Sequence, residues 1–165
     1  MVLYGKPYIT INQKYGEECP LIFRQNGGIN MIKLIVGNKG TGKTKILIDM
    51  VNHSLETSGG NVVVLEKGAK LTFDLKHTAR LIDVEHYKID GYGMFYGFVA
   101  GLLACNYDIT DLYVDSILKI GGRDFEALGK ILDALNALAE ENNTTLVFTV
   151  SADASELPES VKKYL

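Results

Sequence analysis

Short apolar runs alternate along the chain with stretches in which apolar residues recur at helical spacing. Uninterrupted apolar runs of this length are typical of parallel strands that are buried on both faces. The runs predict five strands, over residues 31–36, 61–65, 80–84, 112–114 and 144–150.

The stretches between these runs predict helices over residues 44–55, 91–105, 124–141 and 158–164. The most regular is 124–141, in which Asp124 is a favourable N-cap. Its apolar residues form one stripe: Phe125, Leu128, Leu132, Leu135 and Ala139. Because strands and helices alternate, we expect an α/β fold of three layers, with a mostly parallel five-stranded sheet between helices.

The stretch 91–105 is the most membrane-like part of the chain, and its glycines recur at every fourth position. It is nevertheless too short to cross a bilayer, which takes about 20 apolar residues. We therefore expect a buried helix packed against the sheet, and no membrane span.

Residues 1–30 lack this regular pattern and end in a glycine pair, Gly27-Gly28. Two readings stay open: a hairpin docked on the sheet edge, or translated upstream sequence ahead of a natural start at Met31. The second is suggested because the α/β pattern begins at Met31, and because codons for residues 27–31 can contain GGAGG shortly before an ATG. The predicted domain is accordingly 31–165, and residues 1–30 are a doubtful leader or arm.

Composition narrows the function classes. A length of 165 residues suits one domain, and a formal net charge of −3 argues against an extended basic surface for nucleic acid. The two cysteines, Cys19 and Cys105, lie far apart and do not have metal-ligand spacing. This is not a disulfide framework, so we expect a cytoplasmic protein.

Residues 37–44 match the pattern G-x-x-x-x-G-K-S/T completely, and we call them the phosphate loop. They follow a predicted strand and open a predicted helix, which is the context this motif requires. Its glycines permit a tight loop whose N–H groups face phosphate. Lys43 can reach the β- and γ-phosphates, and the Thr44 hydroxyl can ligate Mg²⁺. The predicted nucleotide contacts are Gly37, Asn38, Lys39, Gly40, Thr41, Gly42, Lys43, Thr44 and Lys45.

Three carboxylates follow predicted strands and are candidates for the remaining chemistry. Asp115 and Asp83 compete for the position that holds Mg²⁺, usually through water, and Asp115 is favoured because Ser116 and a long helix follow it. Glu66 ends the first strand after the loop's helix, and there it can deprotonate a water aimed at the γ-phosphate.

A phosphate loop, then a strand ending in Glu66, an apolar helix and a strand followed by Asp115-Ser116 resembles the RecA/KaiC-like branch of P-loop ATPases. The resemblance covers residue 31 to about residue 151. It implies a RecA-like core, ATP as ligand, Glu66 as catalytic glutamate and Asp115 as the aspartate on the Mg²⁺ side.

The chain departs from that family at two points. The polar sensor after the last strand has only Thr149 or Ser151 as candidates, and an arginine finger from a neighbouring subunit has only Arg80, Arg123 or Lys119. We predict an ATP- and Mg²⁺-binding protein with slow hydrolysis, coupled to a protein partner or to a homo-oligomer. One alternative is a small-molecule or nucleotide kinase, which is disfavoured because such enzymes usually use several arginines and this chain has only three. The other alternative is a non-hydrolysing ATP switch.

Overall fold

A computed structural model of the chain describes residues 9–10, 24–25 and 28–165. The strands are β1 Ile9–Thr10, β2 Arg24–Gln25, β3 Gly28–Ile29, β4 Ile32–Gly37, β5 Asn61–Glu66, β6 Arg80–Asp83, β7 Ile109–Val114 and β8 Thr145–Ser151. The helices are α1 Lys43–Thr57, α2 Tyr92–Cys105, α3 Ile117–Gly121, α4 Phe125–Asn142 and α5 Glu159–Lys162.

The main sheet has the strand order β1-β4-β8-β7-β5-β6, and every neighbouring pair in it is parallel. All five predicted strands are therefore confirmed, as β4 to β8, and the two-residue strand β1 extends the sheet next to β4. Since parallel strands end on the same rim, the residues that follow β4, β5 and β7 meet there.

Helices cover both faces of the sheet. Side chains alternate between the faces along each strand. On β5, Val62 and Val64 pack towards α1, whereas Val63 and Leu65 pack into the larger core under the other helices. The three-layer arrangement is thus built from strands that are apolar on both faces, as the uninterrupted apolar runs indicate.

The longest helix, α4, forms as predicted. Asp124 accepts hydrogen bonds from the N–H groups of Glu126 and Ala127, at 3.1 and 3.0 Å, and so caps its start. The predicted stripe faces the core, with Phe125 partly buried at one end and the remaining members fully buried.

Helix α2 differs from the expectation of a buried helix. Only the stripe of Phe95, Val99 and Leu103 is buried, while the three glycines at every fourth position lie on the exposed face. A Cβ at Gly93, Gly97 or Gly101 would meet open space, so these three glycines do not serve close packing against the described residues. Among the described residues, no helix is long and apolar enough to cross a membrane.

The glycine pair Gly121-Gly122 lies at the end of α3, where Gly121 is closely packed. Gly121 ends α3 and packs so closely under the Tyr92 ring that a Cβ would overlap it. The Tyr92 hydroxyl donates to the carbonyl of Gly122 at 2.8 Å, and the N–H of Gly91 donates to the carbonyl of Ile120 at 2.8 Å. Glycine is needed here for close packing between α2 and α3.

The prediction that the natural chain begins at Met31 concerns residues 1–30, most of which lie outside the described residues. Within that segment, β1 pairs with β4, and β2 pairs with β3 in an antiparallel arrangement. The start at Met31 stays a prediction.

Candidate phosphate-binding site

The phosphate loop joins the end of β4 to the start of α1. Gly40 and Gly42 both have φ of +84°, a left-handed conformation in which any side chain is strained, so glycine is required at both positions. The N-cap of α1 is Gly42. Among the described residues, no side chain accepts a hydrogen bond from the start of this helix, and its first turn contains no acidic residue. Its first N–H groups are therefore available to an anion, with the positive end of the helix dipole behind them.

Lys43 lies across the loop. Its ammonium group donates to the carbonyls of Gly37 and Asn38, at 2.9 and 2.8 Å, and the residue is only 7% exposed. Burial lowers the pKa of Lys43, with the negative charge of Asp115 opposing this shift and the positive charge of Lys119 adding to it. The charge of Lys43 is thus kept at the mouth of the loop and close to both of those side chains.

The Asp115 carboxylate is held by three hydroxyl groups. Thr44 and Thr149 donate to its Oδ1 atom, at 3.2 and 2.9 Å, and Ser116 donates to its Oδ2 atom at 3.0 Å. Thr149 also accepts from the N–H of Ser116 at 2.6 Å and is fully buried. The loop threonine and the strand-end aspartate are therefore fixed next to each other.

The competing candidate, Asp83, has a different environment. Its Oδ1 atom accepts from the N–H groups of Gly68 and Glu85, at 2.9 and 3.0 Å. These bonds close the turn after β6 and tie it to the segment after β5. The aspartate beside the loop threonine is Asp115.

Glu66 ends β5, the neighbour of β7. The N–H of Asp115 donates to the carbonyl of Leu65 at 2.9 Å, so Glu66 and Asp115 leave adjacent strand ends. Glu66 is 2% exposed, and its Oε1 atom accepts from the N–H of Leu71 at 3.0 Å. Burial raises the pKa of Glu66, the backbone N–H groups of Leu71 and Lys70 oppose the shift, and the charges of Asp115 and Asp83 add to it.

The other predicted loop residues lie around this centre. Asn38, Lys39 and Gly40 are exposed, and the Thr41 hydroxyl donates to the carbonyl of Asn38 at 2.7 Å. Lys45 lies on the outside of α1, where it forms an ion pair with Asp49 at 3.3 Å. Of the predicted set, Lys45 is thus the residue whose side chain is engaged away from the loop.

Two contacts on the rim were not predicted from the sequence. Hydrogen bonds from Ser155 lower the pKa of the Asp153 carboxyl group, and the side chain of Asn38, one of the predicted loop residues, adds to this shift. Lys67 donates to Asp90 and to the carbonyl of Lys119, at 3.0 and 3.1 Å, and so links the segments around Glu66 and α3. No local sequence pattern predicts these contacts, because each one joins residues that lie far apart in the chain.

The three candidates for an arginine finger lie at different distances from the phosphate loop. Arg123 donates to the carbonyl of Ser151 at 3.3 Å, and Ser151 pairs with Gly37, so Arg123 lies on the rim of the phosphate loop. Lys119 belongs to the same chain as the loop, and its positive charge helps to lower the pKa of Lys43. Arg80 begins β6 and pairs with Val63 in the middle of β5, so it lies three residues before the strand end at the phosphate-loop rim.

The donor set fits Mg²⁺. This ion takes oxygen ligands, and it usually keeps several waters and phosphate oxygens, so a hydroxyl ligand and a carboxylate that binds one of its waters are sufficient from the protein. The Thr44 hydroxyl and the Asp115 carboxylate are 3.2 Å apart. In the described part of the chain no group of three or more His, Cys, Asp or Glu side chains forms a metal cage.

No protein-family model matches the chain, and no curated protein matches it. Solved structures do. PCH-2 of C. elegans aligns with a TM-score of 0.50 and 17% identity over 84% of this chain and 34% of that chain. The pCW3 conjugation coupling protein TcpA, in a monomer form with ATPγS, aligns with a TM-score of 0.49 and 14% identity over 96% of this chain and 56% of its own.

This chain thus spans between about a third and somewhat over half the length of those two structures. At this identity the likeness to PCH-2 concerns the fold alone. That fold is the three-layer α/β arrangement with a mostly parallel sheet described above.

Proposed function

We propose that this chain binds ATP as its Mg²⁺ complex in the phosphate loop and hydrolyses it slowly. The observation that carries the proposal is the convergence at one point of the rim. Lys43 spans the loop, Thr44 follows it, and Asp115 accepts a hydrogen bond from Thr44.

Binding follows from the geometry of the loop. Phosphate oxygens would accept hydrogen bonds from the loop N–H groups and from the first turn of α1. The Lys43 ammonium group would exchange its two carbonyl partners for phosphate oxygens, which are charged and therefore stronger acceptors. The partial burial of Lys43 strengthens this attraction, because fewer waters screen it.

The Thr44 hydroxyl would hold Mg²⁺ directly and Asp115 would hold it through water. When bound, the ion neutralises charge on the β- and γ-phosphates. Ser116 and Thr149 already orient the Asp115 carboxylate, so no large rearrangement is required of it.

Hydrolysis would use Glu66 as the general base that takes a proton from the attacking water. Burial raises its pKa towards the operating pH, which favours proton transfer. A slow rate is expected, because Glu66 is almost fully buried and one of its carboxylate oxygens is already bonded to the Leu71 N–H.

The RecA/KaiC-like branch is the subtype we favour. In support of it, β5 ends in the candidate base, α2 intervenes, and β7 is followed by Asp115 and then by Ser116 rather than by a second acid. The kinase alternative needs a second phosphate clamp. Of the two arginines with described side chains, Arg80 lies three residues before the end of β6 and Arg123 is engaged with Ser151.

Calorimetric titration with Mg·ATP and Mg·GTP, together with phosphate release, tests the proposal. Lys43→Ala should weaken Mg·ATP binding by roughly tenfold to a hundredfold, since it removes a charge-assisted contact. Lys130→Ala, on the exposed surface of α4, is the matched control and should bind like wild type. Equal affinities for Lys43→Ala and wild type would refute the site, and tight binding without phosphate release would favour the non-hydrolysing switch.

A further inference from the structure

The segment after β5 contains the 3-10 turn Leu71–Phe73. The N–H of Leu71 donates to Glu66 at 3.0 Å, and its carbonyl accepts from the N–H of Asp74 at 3.0 Å. Leu71 therefore links the turn to the carboxylate of Glu66, five residues earlier in the chain.

Leu71 is also the anchor of this turn. Its side chain is 2% exposed and belongs to the apolar cluster formed with Ile46 and Leu47 of α1. Two residues further on, Phe73 is 95% exposed and contributes nothing to that cluster. The position of the Leu71 N–H is therefore set by the burial of its own side chain.

The start of the segment is fixed as well. Gly68 has φ of +89° and donates its N–H to Asp83 at 2.9 Å. The N–H of Val84 donates to the carbonyl of Glu66 at 2.9 Å. Glu66 is thus held by its backbone on one side and by the Leu71 turn on the other.

We propose that Leu71 is the positioning residue of Glu66. Its buried side chain fixes its backbone N–H, and that N–H fixes the orientation of the Glu66 carboxylate. The inference rests on the proposed role of Glu66 in ATP hydrolysis, and it assigns the control of that role to the turn at residues 71–73.

The first test reads the contact itself and needs no nucleotide. In a pH titration followed by NMR, the Leu71 amide should respond with a midpoint above the ordinary glutamate pKa of about 4.3. The charged groups that face Glu66 are Asp115 and Asp83, so the response must disappear in Glu66→Gln to be assigned to Glu66. A Leu71 amide that does not titrate, or that titrates equally in Glu66→Gln, overturns the proposal.

The second test reads the reaction. Leu71→Ala should lower kcat by about tenfold to a hundredfold, as expected for a misplaced catalytic group, while the Kd for Mg·ATP stays within about twofold. Because the N–H stabilises the charged carboxylate, its displacement should also move the acid limb of the pH–rate profile to higher pH. Leu71→Met preserves the packing and should restore both values.

A double-mutant cycle separates positioning from general destabilisation. If Leu71 acts through Glu66, Leu71→Ala should change kcat little in a Glu66→Gln background. Leu135→Ala is the matched control, because it removes an equally buried leucine from α4 on the opposite face of the sheet. Equal losses in both backgrounds, or the same kcat loss and pH shift in Leu135→Ala, overturn the proposal.

The failure of the proposed function looks different. A wild-type protein that binds Mg·ATP without turnover would refute the hydrolytic role of Glu66, whatever the variants do. The amide titration decides the Leu71–Glu66 contact in that case too.

Discussion

At the scale of single residues, Asp115 is the side chain with the most hydrogen bonds in the candidate site, and Asp83 is its natural comparison. Both follow strands of the same sheet, but Asp115 is bonded to the loop threonine and Asp83 closes a turn. Asp115→Asn should reduce the Mg²⁺ dependence of ATP binding, because a charged oxygen ligand is lost. Asp83→Asn should lower the melting temperature and leave that dependence intact.

Calorimetric titration of ATP with and without Mg²⁺, on both variants, checks this. Reversed roles, with Asp83→Asn abolishing the Mg²⁺ effect, would mean that the hydroxyl contact of Asp115 is only structural.

Glu66 links function to stability through its pKa. A carboxyl group whose pKa is raised in the folded state binds its proton more tightly there than in the unfolded chain. Stability is then greatest below the unfolded pKa of about 4.3 and declines as pH rises through the range between the two values. Removing the charge should therefore stabilise the protein at neutral pH.

The prediction is that Glu66→Gln has a higher Tm than wild type at pH 7, and that the difference shrinks towards pH 4. Its kcat should meanwhile fall by about a hundredfold or more, the usual contribution of a general base. Thermal melts across pH, with phosphate release measured on the same samples, check both parts. A variant less stable than wild type at pH 7 would contradict the burial argument.

At the scale of elements, the glycines of α2 and α3 give a matched pair of tests. Gly97 lies on the exposed face of α2, where a Cβ meets open space, so Gly97→Ala should stabilise the protein by about 0.5–1 kcal/mol. Gly121→Ala places a methyl group against the Tyr92 ring and should destabilise it, by about 1–3 kcal/mol. Chemical denaturation measures both, and equal effects would contradict the packing described for α2 and α3.

The elements also show what sequence reasoning reaches. β4 to β8, α1 and α4 were predictable, because each carries a local period that its burial requires. The five-residue helix α3 was not predictable, because it is shorter than two turns. Its last residue, Gly121, is followed by Gly122, and such a glycine pair is typical of a loop. The outward-facing glycines of α2 were missed because an apolar composition does not say which residues of a helix are covered.

The candidate site follows the same division. The phosphate loop is contiguous in the chain, so its pattern alone identifies it. The bonds that hold Asp115 join residues 44, 115 and 149, and the Leu71 N–H reaches Glu66 only through the fold of the intervening turn. Such contacts depend on strand order and register, which no local pattern encodes.

At the scale of the whole molecule, each face of the sheet is covered by its own apolar cluster. The face under α1 contains the cluster that includes Leu71 and so connects the phosphate loop helix with the turn next to Glu66. The opposite face contains the larger core with α2, α4 and α5. The cluster on the α1 face therefore adjoins the candidate site, whereas Leu135 lies in the core on the opposite face, which is why Leu135 serves as a control for Leu71.

The last prediction concerns the segment before Met31. Strand β1 adds two residue pairs to the sheet, Ile9 with Ile35 and Thr10 with Val36, whereas the described cores on both faces are formed by residues 31–165. Because the described cores lie wholly within residues 31–165, we expect chains 1–165 and 31–165 to have coincident melts. They should also bind Mg·ATP equally, because the phosphate loop lies entirely in the shorter chain. Calorimetric melts and titrations of both lengths check this. A shorter chain that melts lower would mean that β1 stabilises β4, and would favour the docked N-terminal hairpin over upstream sequence.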